Sequence, residues 1–323
     1  CGRRKPSSAS PTWGDVTLNQ EPLVFFNGLQ RQAGQAKDSR PMRIGILTSI
    51  ETRHRYFARA IRARFPVVVV GYARPGYVSA NVDASDLTPE EARIVAEHFA
   101  ERDRQEQRFF GHDAEFVADS AECGVRMIGP GELNASETVE FLKSREVDAV
   151  VVYGTDLIRP PLLGVCPGRT INMHLGLSPY YRGTATNFYP LLNGEPEYVG
   201  ATIHLIDAGI DSGPILWHAR PMIVADDQPH TIGCKAILAG IEAMIAVLER
   251  LERDGRLAGV SQWTEPNAKL YLRKNYHPRQ VVELYRKIDS GLIQQFVQNG
   301  SRATNALRLI GDADGHHINT SPR

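Results

Sequence analysis

The chain has 323 residues, with 37 Lys plus Arg against 37 Asp plus Glu. That length supports one large or two modest domains with a real core, and the balanced charge removes any bulk electrostatic reason to expect nucleic acid or membrane. No apolar run reaches the roughly 18 residues of a membrane span. Cys1, Cys123, Cys166 and Cys234 are scattered without a CxxC pattern, which reads as free thiols in a reducing, cytoplasmic setting. The start, CGRRKPSSASPTWGD, has no apolar signal core.

Residues 1–41 read as an irregular extension around one apolar patch, Leu23 to Phe26, and are expected to be dispensable for chemistry. The folded body begins at Met42. Arg43 to Ile50 predicts a strand, Tyr56 to Arg64 a helix and Pro66 to Tyr72 a second strand, a βαβ unit that implies a parallel sheet. The first turn, Thr48 to His54, contains no glycine. A dinucleotide fingerprint or phosphate cradle needs glycines so that the backbone can approach the anion, so both are excluded there. Arg74 to Leu87 reads as a loop. Thr88-Pro89-Glu90-Glu91 is a helix start, and the helix to about Phe110 has a charged, solvated face and an aromatic trio, Phe99, Phe109 and Phe110, assigned to the core. It is longer than a βα unit requires, which marks it as a candidate specificity element.

Further strands are predicted over Val125 to Ile128 and Val147 to Tyr153, with a helix between them capped at Asn134-Ala135-Ser136-Glu137 and running to Arg145. Thr170 to His174 follows as a strand, then a Pro179-Tyr180-Tyr181-Arg182-Gly183 turn, a strand from Ala201 to Ile206 and a loop from Asp207 to Gly213. After Leu216 the reading is a strand over Ala219 to Val224 and a helix over Thr231 to Arg253. A small module at 255–300 then carries Leu270-Tyr271-Leu272 and one helix from Pro278 to about Gln298, before a tail at 301–323 with His316-His317. The fold class expected is α/β: a Rossmann-like, mostly parallel sheet with helices on both faces over 42–254, plus a small C-terminal appendage.

Asn172 and His174, one residue apart on a strand, point the same way. With the nearby carboxylates they supply an amide donor, an imidazole and a base, the parts of an acyl-transfer site. The Asn-x-His, the Pro-containing turn and the Asp-x-Gly-x-Asp-x-Gly-type loop at 207–213 resemble the folate-dependent formyltransferase family, over roughly Met42 to Leu248. The turn and the C-terminal segment are most similar to its sugar N-formyltransferase branch, and the glycine-free first turn departs from the glycinamide ribonucleotide branch. The resemblance implies formyl transfer from 10-formyltetrahydrofolate, with Asn172, His174 and Asp211 as catalytic residues and no metal. Asp211 is preferred over Asp207, which lies four positions earlier.

By the same resemblance, the pterin lies against Tyr153, Gly154, Thr155, Asp156, Leu157, Ile158, Ile206, Asp207, Ala208, Gly209 and Ile210. His204, inside a strand, reads as structural. A zinc site from His174, His204 and Asp211 is formally available and is set aside, as is metal binding at His316-His317. Any acceptor phosphate is expected at side chains, Arg182 first and Arg53 next. The acceptor expected is a small-molecule amine, an amino sugar on a nucleotide. The alternatives are an amino acid, a siderophore-type amine, methionyl-tRNA, hydrolysis of the folate, or a non-catalytic binding module. The charge balance and about seventy residues after Arg253 argue against tRNA. No membrane partner is expected, and a homodimer is left open.

Overall fold

Four consecutive valines at Val67–Val70 and the run Ala149–Tyr153 cannot expose one face to water, so each belongs in a sheet covered on both sides. The computed structural model describes residues 40–74, 86–305 and 307–311. The strands in chain order are β1 (Ile44–Thr48), β2 (Val67–Ala73), β3 (Gly124–Ile128), β4 (Ala149–Tyr153), β5 (Thr170–Leu175), β6 (Tyr181–Gly183), β7 (Ala201–Leu205), β8 (Ile215–Ala219) and β9 (Lys269–Tyr271). The helices are α1 (Thr52–Arg62), α2 (Pro89–Phe110), α3 (Ser136–Lys143), α4 (Phe188–Asn193), α5 (Pro229–Asp254), α6 (Arg279–Asp289) and α7 (Leu292–Asn305).

Seven strands form one sheet in the order β3-β2-β1-β4-β5-β7-β8, parallel up to β5 and antiparallel beyond it. The expected mostly parallel sheet is therefore present. Ile44, Val70 and Val151 pack on one face with Phe57 and Ile61 of α1 and Met244 and Leu248 of α5. Leu47, Val69, Val150 and Val152 point to the other, against Val139 and Leu142 of α3. α5 is long and apolar enough to cross a bilayer, but its apolar stripe is buried on the sheet. The chain runs from β1 outward to β2 and later returns to β4 on the other side of β1, so the carboxyl ends of β1 and β4 flank a crevice where ligands of such sheets sit.

The capping box expected at Thr88 and Glu91 is formed. Other boundaries move. α1 begins at Thr52, four residues before the predicted start, because Thr-Arg-His-Arg shows no apolar period. Asn134 does not cap α3: Ala135 holds that position, while Asn134 Nδ2 donates to the Leu157 carbonyl at 2.9 Å and its Oδ1 accepts from the Arg159 amide at 2.7 Å. The strand placed at Ala219 to Val224 is instead β8, ending at Ala219, since Pro221 has no N–H for the ladder. The single helix drawn from Pro278 is two, divided at Gly291, whose φ of 89° no continuing helix adopts.

β9 pairs in parallel with β6 as a separate two-stranded sheet. α6 seats Val281 and Val282 against Val95 of α2, and Leu284 and Ile288 pack with Tyr181, Tyr189 and Ile232. The Leu23–Phe26 patch, most of the 74–87 loop and His316-His317 lie outside the described residues.

Candidate active site

β5 alternates its side chains, so Asn172 and His174 share a face. Its antiparallel partner β7 sets His204 directly opposite Asn172. Asn172 Nδ2 lies 3.1 Å from His204 Nε2, and His204 Nδ1 lies 2.8 Å from the Leu205 carbonyl. A carbonyl only accepts, so Nδ1 carries the His204 proton and Nε2 accepts from Asn172. One amide proton of Asn172 is thereby fixed and the second is left for the cleft.

Asp211 reaches the same point from the β7–β8 loop. Its Oδ2 lies 3.4 Å from His174 Nδ1 and accepts from the Gly183 amide at 3.1 Å, and its Oδ1 lies 3.7 Å from His204 Nε2. Its φ of 47° is a left-handed conformation uncommon outside glycine, held by Gln262, which donates to the Asp211 and Gly213 carbonyls at 2.7 and 3.0 Å. Burial raises the Asp211 pKa, but its neighbours, His174 first and the Gly183 amide with it, outweigh burial and hold the carboxyl well below its usual range. Asp207 is spent on its own turn, accepting from the Gly209 amide at 3.0 Å and the Ser212 hydroxyl at 2.8 Å.

His174 is buried between two acceptors, Asp211 and, 3.2 Å from Nε2, the Tyr181 carbonyl. Only the doubly protonated ring can donate to both. Burial lowers its pKa more than Asp211 raises it, so the ring releases that proton more easily than an ordinary histidine.

Gly183 couples this site to the C-terminal segment. Its φ is 95°, and a Cβ there would lie 2.0 Å from the Tyr271 carbonyl oxygen of β9. Gly183→Ala is expected to cost about 3 kcal/mol from left-handed strain and backbone overlap. Denaturant titration measures it, and a stability equal to that of the unsubstituted protein would show that β6 and β9 separate freely.

These groups open on a cleft of about 760 Å³. Every residue expected to hold the pterin lines it except Ala208, and Leu157 and Ile210 present exposed apolar side chains at those loops. Gly154 has φ 71° and packs so closely on His54 that an added Cβ would meet Nε2 at 2.1 Å. The two arginines assigned to a phosphate fare differently. Arg53 lines the cleft but is committed to Glu106 at 2.5 Å. Arg182 is on β6, is not among the cleft-lining residues, and has a buried Nε without a hydrogen-bond partner. No cluster of three metal-ligating groups occurs among the described residues.

The Formyl transferase family model matches residues 78–248, more than half of the chain. The chain belongs to the formyl transferase family. Among curated members, the methionyl-tRNA formyltransferase of Burkholderia vietnamiensis is 33% identical over 139 residues, 43% of this chain and 42% of that protein. The chain thus matches less than half the length of that relative. Among solved structures, the phosphoribosylglycinamide formyltransferase of Anaplasma phagocytophilum is 15% identical with a TM-score of 0.47, covering 72% of this chain and 98% of that one. The formyltransferase PseJ of Anoxybacillus kamchatkensis, crystallised with a UDP-linked formamido sugar and tetrahydrofolate, is 18% identical with a TM-score of 0.41, covering 72% and 87%.

Within this formyl transferase-family chain, sequence reasoning missed the contact of His204 with Asn172. The signal needed was the β5–β7 register, which twenty-five intervening residues, 176–200, conceal. The core contact expected of Phe99 is present, against Val95, Val281 and Val282, and the same side chain also lines the cleft with His98, Arg102 and Glu106 of α2.

Proposed function

We propose that the chain transfers a formyl group from 10-formyltetrahydrofolate to the amine of a small acceptor, an amino sugar carried on a nucleotide. The observation that carries this reading is the convergence of Asn172, His174 and Asp211 on one cleft that Leu157 and Ile210 also line with apolar side chains suited to a flat ring. The folate supplies a formyl carbon already activated toward amines. The second amide proton of Asn172 is assigned the formyl oxygen as it gains negative charge, and such a donor is worth about 3–4 kcal/mol in related sites. His174 gives its loosely held proton to the departing nitrogen, and Asp211, ionised, accepts the proton that the amine loses, directly or through water. His204 fixes the Asn172 amide in place.

Support for a small acceptor rather than tRNA comes from the absence of net charge on the sequence, since tRNA binding leans on excess Lys and Arg. The test is incubation with 10-formyltetrahydrofolate and a panel of nucleotide-linked amino sugars, followed by mass spectrometry. A gain of one formyl group on the amine is expected. Formate release without a formylated amine would assign hydrolysis instead, and formylation of methionyl-tRNA alone would overturn the acceptor.

A further inference from the structure

One of the shortest strands in the structure touches both sides of the catalytic imidazole. β6 is three residues long. Its Tyr181 carbonyl accepts from His174 Nε2 at 3.2 Å, and its Gly183 amide donates to the Asp211 oxygen that faces His174 Nδ1. The Lys269 amide donates to the Tyr180 carbonyl and the Thr184 amide to the Tyr271 carbonyl, each at 2.8 Å, which extends the pairing with β9. A two-stranded pair is marginal by itself, so the place of the Tyr181 carbonyl needs a further anchor.

The Tyr181 side chain supplies it. The ring is buried, and its hydroxyl donates to the Glu195 carboxylate and accepts from Asn193 Nδ2 at 2.8 Å. Lys269, the first residue of β9, closes the cluster. Its ammonium lies 2.9 and 3.1 Å from the two Glu195 oxygens and 5.0 Å from the centre of the Tyr181 ring. Burial and then Glu195 push the Tyr181 pKa up, so the phenol stays protonated and remains the donor. A partly exposed Lys–Glu pair adds little stability, but one tied to a buried hydroxyl fixes an orientation. Tyr181, Asn193, Glu195 and Lys269 are all absent from the cleft lining, so this cluster reaches the chemistry only through β6.

We infer that Tyr181, Asn193, Glu195 and Lys269 form a positioning device for the reaction, holding the Tyr181 carbonyl against His174 so that the imidazole can keep its second proton. It rests on the reading of His174 as the acid. The groups that bear on that ring are Asp211 from the β7–β8 loop, His204 on β7, and Arg182 and the Tyr181 carbonyl on β6. Burial, His204 and Arg182 disfavour the protonated ring, while Asp211 and the carbonyl favour it. Gln262 holds the Asp211 loop from the other side. A loosened β6 therefore takes its carbonyl away from the ring while the carboxylate stays.

NMR titration of the full chain with 13C-labelled histidine tests it without any substrate, the His174 signal being the one lost in His174→Ala. In Tyr181→Phe the His174 midpoint is expected to move to lower pH. With 10-formyltetrahydrofolate and the amino sugar that the panel identifies, the limb on which turnover falls as pH rises should move the same way. Turnover at pH 8 should drop about three- to tenfold. Lys269→Met should shift the midpoint in the same direction by less, and it decides alone if Tyr181→Phe does not fold; Lys269→Arg should restore it. Tyr189→Phe is the control, since the Tyr189 hydroxyl has no hydrogen-bond partner, and should leave the midpoint in place. An unchanged midpoint in folded Tyr181→Phe overturns the inference even where stability or turnover falls, and so does an equal shift in Tyr189→Phe. A lowered midpoint with unaltered turnover upholds the positioning and sinks His174 as the acid.

Discussion

Replacing His174 with alanine is expected to lower formyl transfer by about two orders of magnitude or more while the protein stays folded, because the departing nitrogen then has no positioned acid. Asp211→Asn is the sharper companion. Asparagine tolerates the left-handed backbone that Asp211 adopts, so the loop keeps its shape while the charge beside His174 disappears. Its loss of rate should match that of His174→Ala, and the double substitution should cost little more than either alone, as groups acting as a unit do. Single-turnover rates with a fixed acceptor measure this. A folded His174→Ala protein with near-normal turnover would remove the mechanism.

The second large effect is on stability in acid. His54, His98 and His218 are buried and His230 is half-buried, and burial, the leading cause in each, pushes their pKa values down to about 4, about 3, about 4 and about 4. The unfolded chain holds its imidazoles near 6.5. Above that value both states are neutral and the contribution to stability is whole. As pH falls from about 6.5 toward 4, the unfolded chain takes up protons that the folded chain refuses, so stability is lost across that window. By pH 5 the loss is up to about 2 kcal/mol per imidazole. Carboxylates held ionised, Asp211 among them, add their own loss only below about pH 4.5. Urea midpoints at pH 7.5, 6 and 5 therefore isolate the histidines, and a constant midpoint across that series would show that these rings are not sealed from water.

Much of the sheet was legible because its strands are aliphatic runs of the right length, and the α2 start because a capping box leaves a local mark. Asn172 and His174 were legible for the same reason: their geometry is set by one strand's alternation. What escaped was set by distant partners. Asn134 looks like a helix cap and instead ties down the loop after β4, and α1 begins in polar residues whose role is to face the cleft. The break at Gly291 falls inside a stretch whose apolar period continues on both sides, so pattern alone carried the helix through it.

The two ends of the cleft are built from different materials. Asn172, His174 and Asp211 hang on β5, its partner β7 and the loop locked by Gln262, a framework in which a shift of one strand would disturb several hydrogen bonds at once. The aromatic side of the cleft has His98 and Phe99 on α2, Phe188 on α4 and Tyr276 before α6. It hangs on two helices and a segment joined to the body through β6, β9 and the packing of α6 on α2. Side chains on that side can be exchanged without touching a ladder hydrogen bond near Asn172. A library randomised at Phe99, Arg102, Phe188 and Tyr276 would therefore vary one side of the cleft while leaving the backbone frame around Asn172, His174 and Asp211 unaltered.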